Sequence, residues 1–111
     1  MNLQRGQLYE QQALRYLEQQ GLTLLERNYR TSLGELDLVM QDGNCTVFVE
    51  VKFRQSRSFG GAAAAVTHAK QQKLRRAAAL YLQQHGQCHC RFDVIAIGAD
   101  PADIRWVKNA F

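Results

Sequence analysis

The spacing of apolar residues predicts a chain of alternating helices and strands. In two segments apolar residues recur every three to four positions, which is the helical period, and four shorter segments have the alternating or continuous apolar pattern of strands. The helices are predicted over residues 7–20 and 62–84, and the strands over residues 22–29, 34–41, 45–53 and 91–97, with a short final strand expected at 104–107. This αβββαβ order predicts an α/β fold with a mixed central sheet flanked by helices.

A turn signal joins the second and third predicted strands into a hairpin. The segment between them is Asp42-Gly43-Asn44. A two-residue type II′ turn with Gly43 at its first central position places Asp42 opposite Cys45. Side chains alternate along a strand, so we expect one face of each strand to be apolar and the other to carry the charged residues.

This register brings acidic residues of the two strands together. It places Asp37 opposite Glu50, and Glu35 opposite Lys52. Directly opposed residues have Cβ atoms roughly 4.5–5.5 Å apart, so the two acids repel each other unless something neutralises them. Mg²⁺ does so, because it is commonly held by one or two carboxylates together with phosphate oxygens and water. With Lys52 on the same face as Glu50, the cluster suits phosphodiester hydrolysis.

The alternative is a solvated hairpin face whose charges have no function. Two features count against it. Residues 46–53 are nearly all β-branched or aromatic, which indicates a central strand rather than an edge. Charged side chains are rarely buried in such a strand unless they are paired or bind a metal.

Each predicted helix places one charged residue towards the sheet. Glu10 lies near the apolar stripe of the first helix. It either completes a metal site or is a first-turn acid that the helix dipole favours. Lys70 lies near the buried stripe of the second helix, either reaching a phosphate or a site carboxylate, or extending its stem over apolar surface.

Other basic residues are candidates for contacts with nucleic-acid phosphates, although a solvated face explains them nearly as well. They are Arg54, Arg57, Lys73, Arg75 and Arg76. For Arg91 and Asp93, which alternate with Phe92 and Val94, we expect a structural ion pair. The segment Cys88-His89-Cys90, with His85 upstream, invites a zinc interpretation, but its spacing is unlike that of known zinc sites and a reduced loop is preferred.

Composition and charge narrow the class of protein. Hydrophobic residues make up 46% and charged residues 22% of the 111 residues, values typical of a globular fold, and the length suits a single domain over residues 1–111. The net charge is +4, and ten of the 14 basic residues are arginine, which favours a polyanionic partner. No apolar run approaches the roughly 18 residues of a membrane span and the start of the chain is polar, so we expect a cytoplasmic protein with no membrane partner.

The chain resembles the PD-(D/E)XK nuclease superfamily and, more closely, the YraN family of bacterial proteins, which is related to archaeal Holliday-junction resolvases. The segments Gly34-Glu35-Leu36-Asp37 and Val49-Glu50-Val51-Lys52 match the superfamily signature. The resemblance covers nearly the whole chain and includes Gly6, Glu10, Ala13, Leu17, Asn28, Arg30, residues 59–64, Val66, Lys70, residues 91–94 and residues 106–111. Phe53 departs from it, since the family often has a small polar residue there.

The resemblance implies a restriction-endonuclease-like core and a Mg²⁺-dependent or Mn²⁺-dependent, structure-selective DNA endonuclease. It implies that Glu10, Asp37 and Glu50 are metal ligands and that Lys52 positions or activates the attacking water. Relatives that cleave four-way junctions act as dimers, so branched DNA is the expected partner and a homodimer the expected assembly. The alternative is a non-catalytic nucleic-acid-binding module that retains the fold; a structural partner protein in a DNA-processing complex is a third, weaker option.

Overall fold

Two helices and five strands make up the described part of the chain. The computed structural model describes residues 5–54, 66–86, 89–100 and 102–111. The elements are α1 (Arg5–Gln19), β1 (Thr23–Arg30), β2 (Glu35–Asp42), β3 (Cys45–Phe53), α2 (His68–His85), β4 (His89–Ile97) and β5 (Ile104–Val107). The predicted α/β class is confirmed, and the expected short final strand is present as β5.

The five strands form one mixed sheet in the order β1-β2-β3-β4-β5. Neighbouring strands are antiparallel except β3 and β4, which are parallel and joined through α2. The prediction that β3 is a central strand is confirmed. β3 lies between β2 and β4, and its pairing with β4 continues through Glu50 and Lys52, which fixes the positions of these two residues.

The helices pack on opposite faces of the sheet, and each covers its own apolar core. The core between α1 and the sheet consists of Ala13, Leu14, Leu17, Leu22, Leu38, Met40, Val47, Val49, Ile95 and Ile97. The core between α2 and the sheet consists of Leu36, Val39, Phe48, Val66, Leu74, Ala77, Ala78, Tyr81, Phe92 and Val94. The expectation of one charged face on each hairpin strand is therefore wrong over most of the hairpin, because helices on both sides bury both faces.

The hairpin has the predicted register near its turn. Asp42 pairs with Cys45, and Gly43 has the positive φ of +60° that the first central position of a type II′ turn requires. The paired rungs end at Leu38 and Val49. The predicted rungs of Asp37 with Glu50 and of Glu35 with Lys52 are therefore not formed, because β2 and β3 stop pairing before they reach these residues. On its other edge β2 still pairs with β1, as far as Glu35 and Arg30.

The side-chain alternation of β2 breaks next to Asp37. Strict alternation groups Leu36 with Leu38 and Met40, yet Leu36 packs with Val39 in the core under α2. Alternation is thus interrupted between Leu36 and Leu38, next to the last rung that β2 shares with β3.

Helix α2 begins later than the alanine-rich sequence predicts. Val66 and Thr67 precede it, and Thr67 caps it by accepting a hydrogen bond from Lys70 N at 3.2 Å. A threonine cap fixes the first turn, whereas a run of alanines is compatible with a helix but does not specify where it begins. The predicted start over residues 62–65 lies outside the described residues.

Neither of the two described helices has the length and apolarity needed to cross a membrane.

Candidate functional site

The two acids of the hairpin meet where β2 and β3 separate. Beyond the last rung, Val51 N–H donates to Asp37 Oδ2 at 2.9 Å, so a side chain takes the place of the strand-to-strand backbone bond. The carboxyl groups of Asp37 and Glu50 are also within hydrogen-bonding contact of each other. Ionised carboxylates only accept hydrogen bonds, so this contact requires a proton or a cation between them.

Burial and like charge make the ionised form of Asp37 unfavourable. Burial is the largest influence, and the contact with Glu50 and its negative charge act in the same direction. The hydrogen bond from Val51 N–H opposes them. Together these influences raise the pKa of Asp37 to about 8. The pair therefore binds a proton tightly when no other cation is present.

Glu50 has one oxygen whose hydrogen-bonding capacity is unused. The side chain is 4% exposed, and Oε2 has no hydrogen-bond partner among the described residues. The nearest positive groups are Lys52 Nζ and Lys70 Nζ, each 3.6 Å from Oε2. Of the two alternatives for Lys70, the contact with a site carboxylate is the one observed.

A cavity of about 300 Å³ opens onto these groups. It is lined by Gly6, Tyr9, Glu10, Asp37, Glu50, Val51, Lys52, Phe53 and Lys70. Its walls come from the N-terminal parts of both helices and from the splayed ends of β2 and β3. Acidic, basic and aromatic side chains therefore converge on one space that is large enough for a small part of a ligand.

Glu10 faces the cavity from α1. The helix begins at Arg5, so the alternative of a first-turn acid favoured by the dipole is wrong. Burial raises the pKa of Glu10, although a hydrogen bond from Asn28 opposes the shift. With its amide nitrogen turned towards the acids, Asn28 donates to Glu10 Oε1 at 3.1 Å and Glu35 Oε1 at 3.3 Å. Asn28 has a φ of +51°, in the left-handed region that asparagine tolerates well.

The three predicted metal ligands are not equally close. Among residues 5–54, 66–86, 89–100 and 102–111, no three histidine, cysteine, aspartate or glutamate side chains are grouped tightly enough to hold an ion. Asp37 and Glu50 contact each other, whereas Glu10 shares their cavity and acts on Asp37 through its charge. The pair agrees with the needs of Mg²⁺, which is usually bound through one or two carboxylates and otherwise by water and phosphate.

The predicted phosphate-binding residues are distributed unevenly. Lys70 reaches the cavity, Lys73 is exposed one turn further along α2, and Arg54 is exposed directly after β3. Arg57 lies outside the described residues, as does Cys88 of the zinc interpretation. The guanidinium of Arg75 lies 5.2 Å from the ring centroid of Phe92, a cation–π contact that gives it a structural partner.

The predicted pair of Arg91 and Asp93 is confirmed and extends into a buried network. Arg91 Nε donates to both Asp93 oxygens, at 3.0 and 3.1 Å. Trp106 Nε1 and Asn109 N each donate to Asp93 at 2.9 Å, and Arg91 also binds Asp42 at 3.0 Å. All these groups have partners, so this cluster stabilises the fold and is not a candidate site.

The sequence did not indicate that Tyr9 and Phe53 belong to the cavity. Their rings stack with centroids 4.6 Å apart and planes 15° from parallel. Helical periodicity places Tyr9 in the apolar stripe of the first helix, and strand alternation places Phe53 on the apolar face of the third strand. The signal for Phe53 is its departure from the family pattern, which puts an aromatic residue one position after Lys52.

Comparison with known proteins identifies the family. The profile of a family described as "Uncharacterised protein family UPF0102" matches residues 9–97. A UPF0102 protein from Shewanella loihica is 51% identical over 111 residues, covering 99% of this chain and 96% of the relative. One from Janthinobacterium sp. is 56% identical over 106 residues, covering 95% and 85%. The predicted YraN-family membership is confirmed, and the chain belongs to the uncharacterised protein family UPF0102.

Proposed function

We propose that this protein is a Mg²⁺-dependent, structure-selective DNA endonuclease that hydrolyses phosphodiester bonds in branched DNA. The observation that carries the proposal is the contact of Asp37 with Glu50 inside an open cavity, with Lys52 Nζ 3.6 Å from Glu50 Oε2. Acid pairs with a neighbouring cationic side chain suit phosphodiester hydrolysis, in which negative charge develops on phosphate oxygens.

The donor set fits a divalent cation. Glu50 Oε2 is buried and lacks a hydrogen bond from any described residue, and Asp37 and Glu50 repel each other when both are ionised. An ion held by Asp37 and Glu50 would remove both penalties, and Glu10 is the third acid facing it. When bound, Mg²⁺ or Mn²⁺ supplies Lewis-acid stabilisation and lowers the pKa of a coordinated water.

The chain's own residues have separate roles in this proposal. Lys52 presents its ammonium to the space beside Glu50, where it orients the attacking water or stabilises charge on the phosphate. Lys70 brings a second positive charge from α2, and Arg54 and Lys73 extend the basic surface towards the DNA backbone. Arg57 is proposed for the same role on the basis of its sequence position.

The topology supports the same proposal. The acids lie on a central antiparallel hairpin whose second strand continues through α2 into a parallel strand. This arrangement is compatible with the restriction-endonuclease-like core that the resemblance implies. Cutting both strands of a junction requires two such sites, so the proposal extends to a homodimer on DNA.

Cleavage of labelled branched DNA tests the proposal. Purified protein with Mg²⁺ or Mn²⁺ is expected to nick a four-way junction, and Asp37→Asn is expected to lower the rate by at least about 100-fold because a metal ligand is lost. Asn retains the acceptor for Val51 N–H, so folding is preserved. The matched control is Glu18→Gln, which removes an exposed acid of α1 outside the cavity.

The results separate the proposal from its alternative. Equal cleavage by Asp37→Asn and wild type would contradict the assigned site. Salt-sensitive DNA binding that Mg²⁺ does not change, without cleavage, would instead support a non-catalytic binding module.

A further inference from the structure

We infer that Tyr9 and Phe53 form a stacking site for an unpaired nucleobase next to the Asp37–Glu50 pair. The inference rests on the proposed function and deepens it, because it names the part of the substrate that the cavity accepts. That part is a nucleotide whose base is not stacked inside a duplex.

The two rings stack face to face within an otherwise charged cavity, so a base would lie on the outer face of Phe53, the ring that is not packed against the core. Their centroids are 4.6 Å apart, their planes are within 15° of parallel, and both line the space that contains Asp37 and Glu50. The charged groups around them account for binding an ion and a phosphate. They do not account for an aromatic surface in the same place.

The two residues differ in how they are supported. Tyr9 packs against the core under α1, which anchors its ring. Phe53 is half-buried and, within the described ranges, belongs to neither apolar core. It is the last residue of β3 and is followed by the exposed Arg54. Tyr9 therefore anchors the stack, and Phe53 is the ring that lies outside both cores.

A nucleobase is the ligand that matches an aromatic surface beside a phosphate-binding group. Stacking of a base on an aromatic side chain contributes about 1–3 kcal/mol and depends little on base identity. Bases inside a duplex already have both faces covered by their neighbours, so they reach such a surface only after leaving the stack. The site thus favours branch points, flaps and single strands over continuous duplex.

Equilibrium binding to two oligonucleotides tests the inference. One is a branched DNA with an unpaired 2-aminopurine at the branch, and the other is a fully paired duplex with the same number of phosphates. Phe53→Leu is expected to lower affinity for the first roughly tenfold, and for the second by less than about twofold, because only the first can stack. Phe53→Trp is expected to retain wild-type affinity, and Leu33→Ala, an exposed apolar residue outside the cavity, serves as the control.

The fluorescence of 2-aminopurine reports stacking directly. Quenching on binding to wild type, and its loss in Phe53→Leu, would support the inference, with circular dichroism verifying that the variant is folded. Equal losses of affinity for both DNAs, unchanged quenching, or no binding by wild type would overturn it. Cleavage is measured separately. If wild type prefers the branched DNA over the duplex but does not cleave it, only the proposed function is wrong. If wild type cleaves but Phe53→Leu keeps the same preference for the branched DNA, only the stacking site is wrong.

Discussion

Two buried acids of the same sheet have opposite surroundings. Asp93 is fully buried and accepts hydrogen bonds from Arg91, Trp106 and the backbone of Asn109. Glu50 is buried almost as deeply, yet one of its oxygens has no hydrogen bond from a described residue and its closest neighbours include another acid. The difference separates a carboxylate whose hydrogen bonds stabilise the fold from one whose hydrogen-bonding capacity is not used by the described residues.

The Asp37–Glu50 pair lowers the stability of the folded protein, which favours a functional interpretation of the pair. A buried acid that lacks full hydrogen bonding destabilises the folded state, and a second acid in contact with it increases the penalty. The Asp93 network shows that this sheet can satisfy a buried carboxylate completely. The unsatisfied pair is therefore a local arrangement and not a general property of the fold.

Removing Asp93 is expected to have the largest effect on stability. Asp93→Ala leaves Arg91, Trp106 and Asn109 N without their acceptor, and breaking a buried ion pair in this way costs about 3–5 kcal/mol in the free energy of unfolding. Urea unfolding measures the change. Asp42→Asn, which removes only the outer contact of Arg91, is expected to cost much less. A loss below about 1 kcal/mol in Asp93→Ala would contradict the structural role that distinguishes Asp93 from Glu50.

The raised pKa of Asp37 predicts a particular dependence of stability on pH. In metal-free buffer the folded protein holds a proton that the unfolded chain releases near pH 4, so this contribution is fully present below pH 4 and is lost as the pH rises through about 8. We expect wild type to lose about 3 kcal/mol relative to Asp37→Asn between about pH 5 and pH 7.

Urea unfolding with EDTA at a series of pH values measures this difference. Because asparagine does not ionise, the variant lacks only the contribution of this carboxyl group. A wild-type curve that runs parallel to that of Asp37→Asn would show that Asp37 titrates alike in the folded and unfolded chains.

Replacing Glu50 is expected to change stability much less than replacing Asp93. Glu50→Gln removes the repulsion with Asp37 while keeping the shape of the side chain, so we expect a change within about 1 kcal/mol, and a gain at high pH. Cleavage is expected to be lost in the same variant. A destabilisation as large as that of Asp93→Ala would mean that Glu50 has the same structural role as Asp93.

The smallest effect is expected for Lys70. Its side chain is 41% exposed and lies 3.6 Å from Glu50 Oε2, so Lys70→Gln is expected to change stability by less than about 0.5 kcal/mol. If Lys70 contacts a phosphate, the slope of log K against log salt for DNA binding falls by about one. Arg105→Gln, an exposed cation on the edge strand β5, provides the charge-matched control and leaves the slope unchanged.

Local sequence rules were sufficient to predict the β2–β3 hairpin and the proximity of Asp37 to Glu50. The conformational preference of Gly43 determines the turn, the turn determines the register, and counting along two strands brings Asp37 close to Glu50. The bounds of β3 were predicted to the residue, since a run of β-branched and aromatic residues favours a central strand.

Features that depend on distant contacts could not be predicted in this way. The break in alternation at β2 accompanies the bond from Val51 N–H to Asp37, which lies beyond the last rung of the ladder. The stacking of Tyr9 on Phe53 depends on how the start of α1 sits over the end of β3. Periodicity assigns residues to faces of an element, but it does not determine which element ends lie together.

The most direct test of the central claim is a Mn²⁺ titration followed by electron paramagnetic resonance, without DNA. The account predicts that wild type binds Mn²⁺ and that Glu50→Gln loses this binding, while Glu18→Gln, which removes an exposed acid of α1, binds as wild type does. Equal Mn²⁺ binding by wild type and Glu50→Gln, or no binding by wild type, would contradict it.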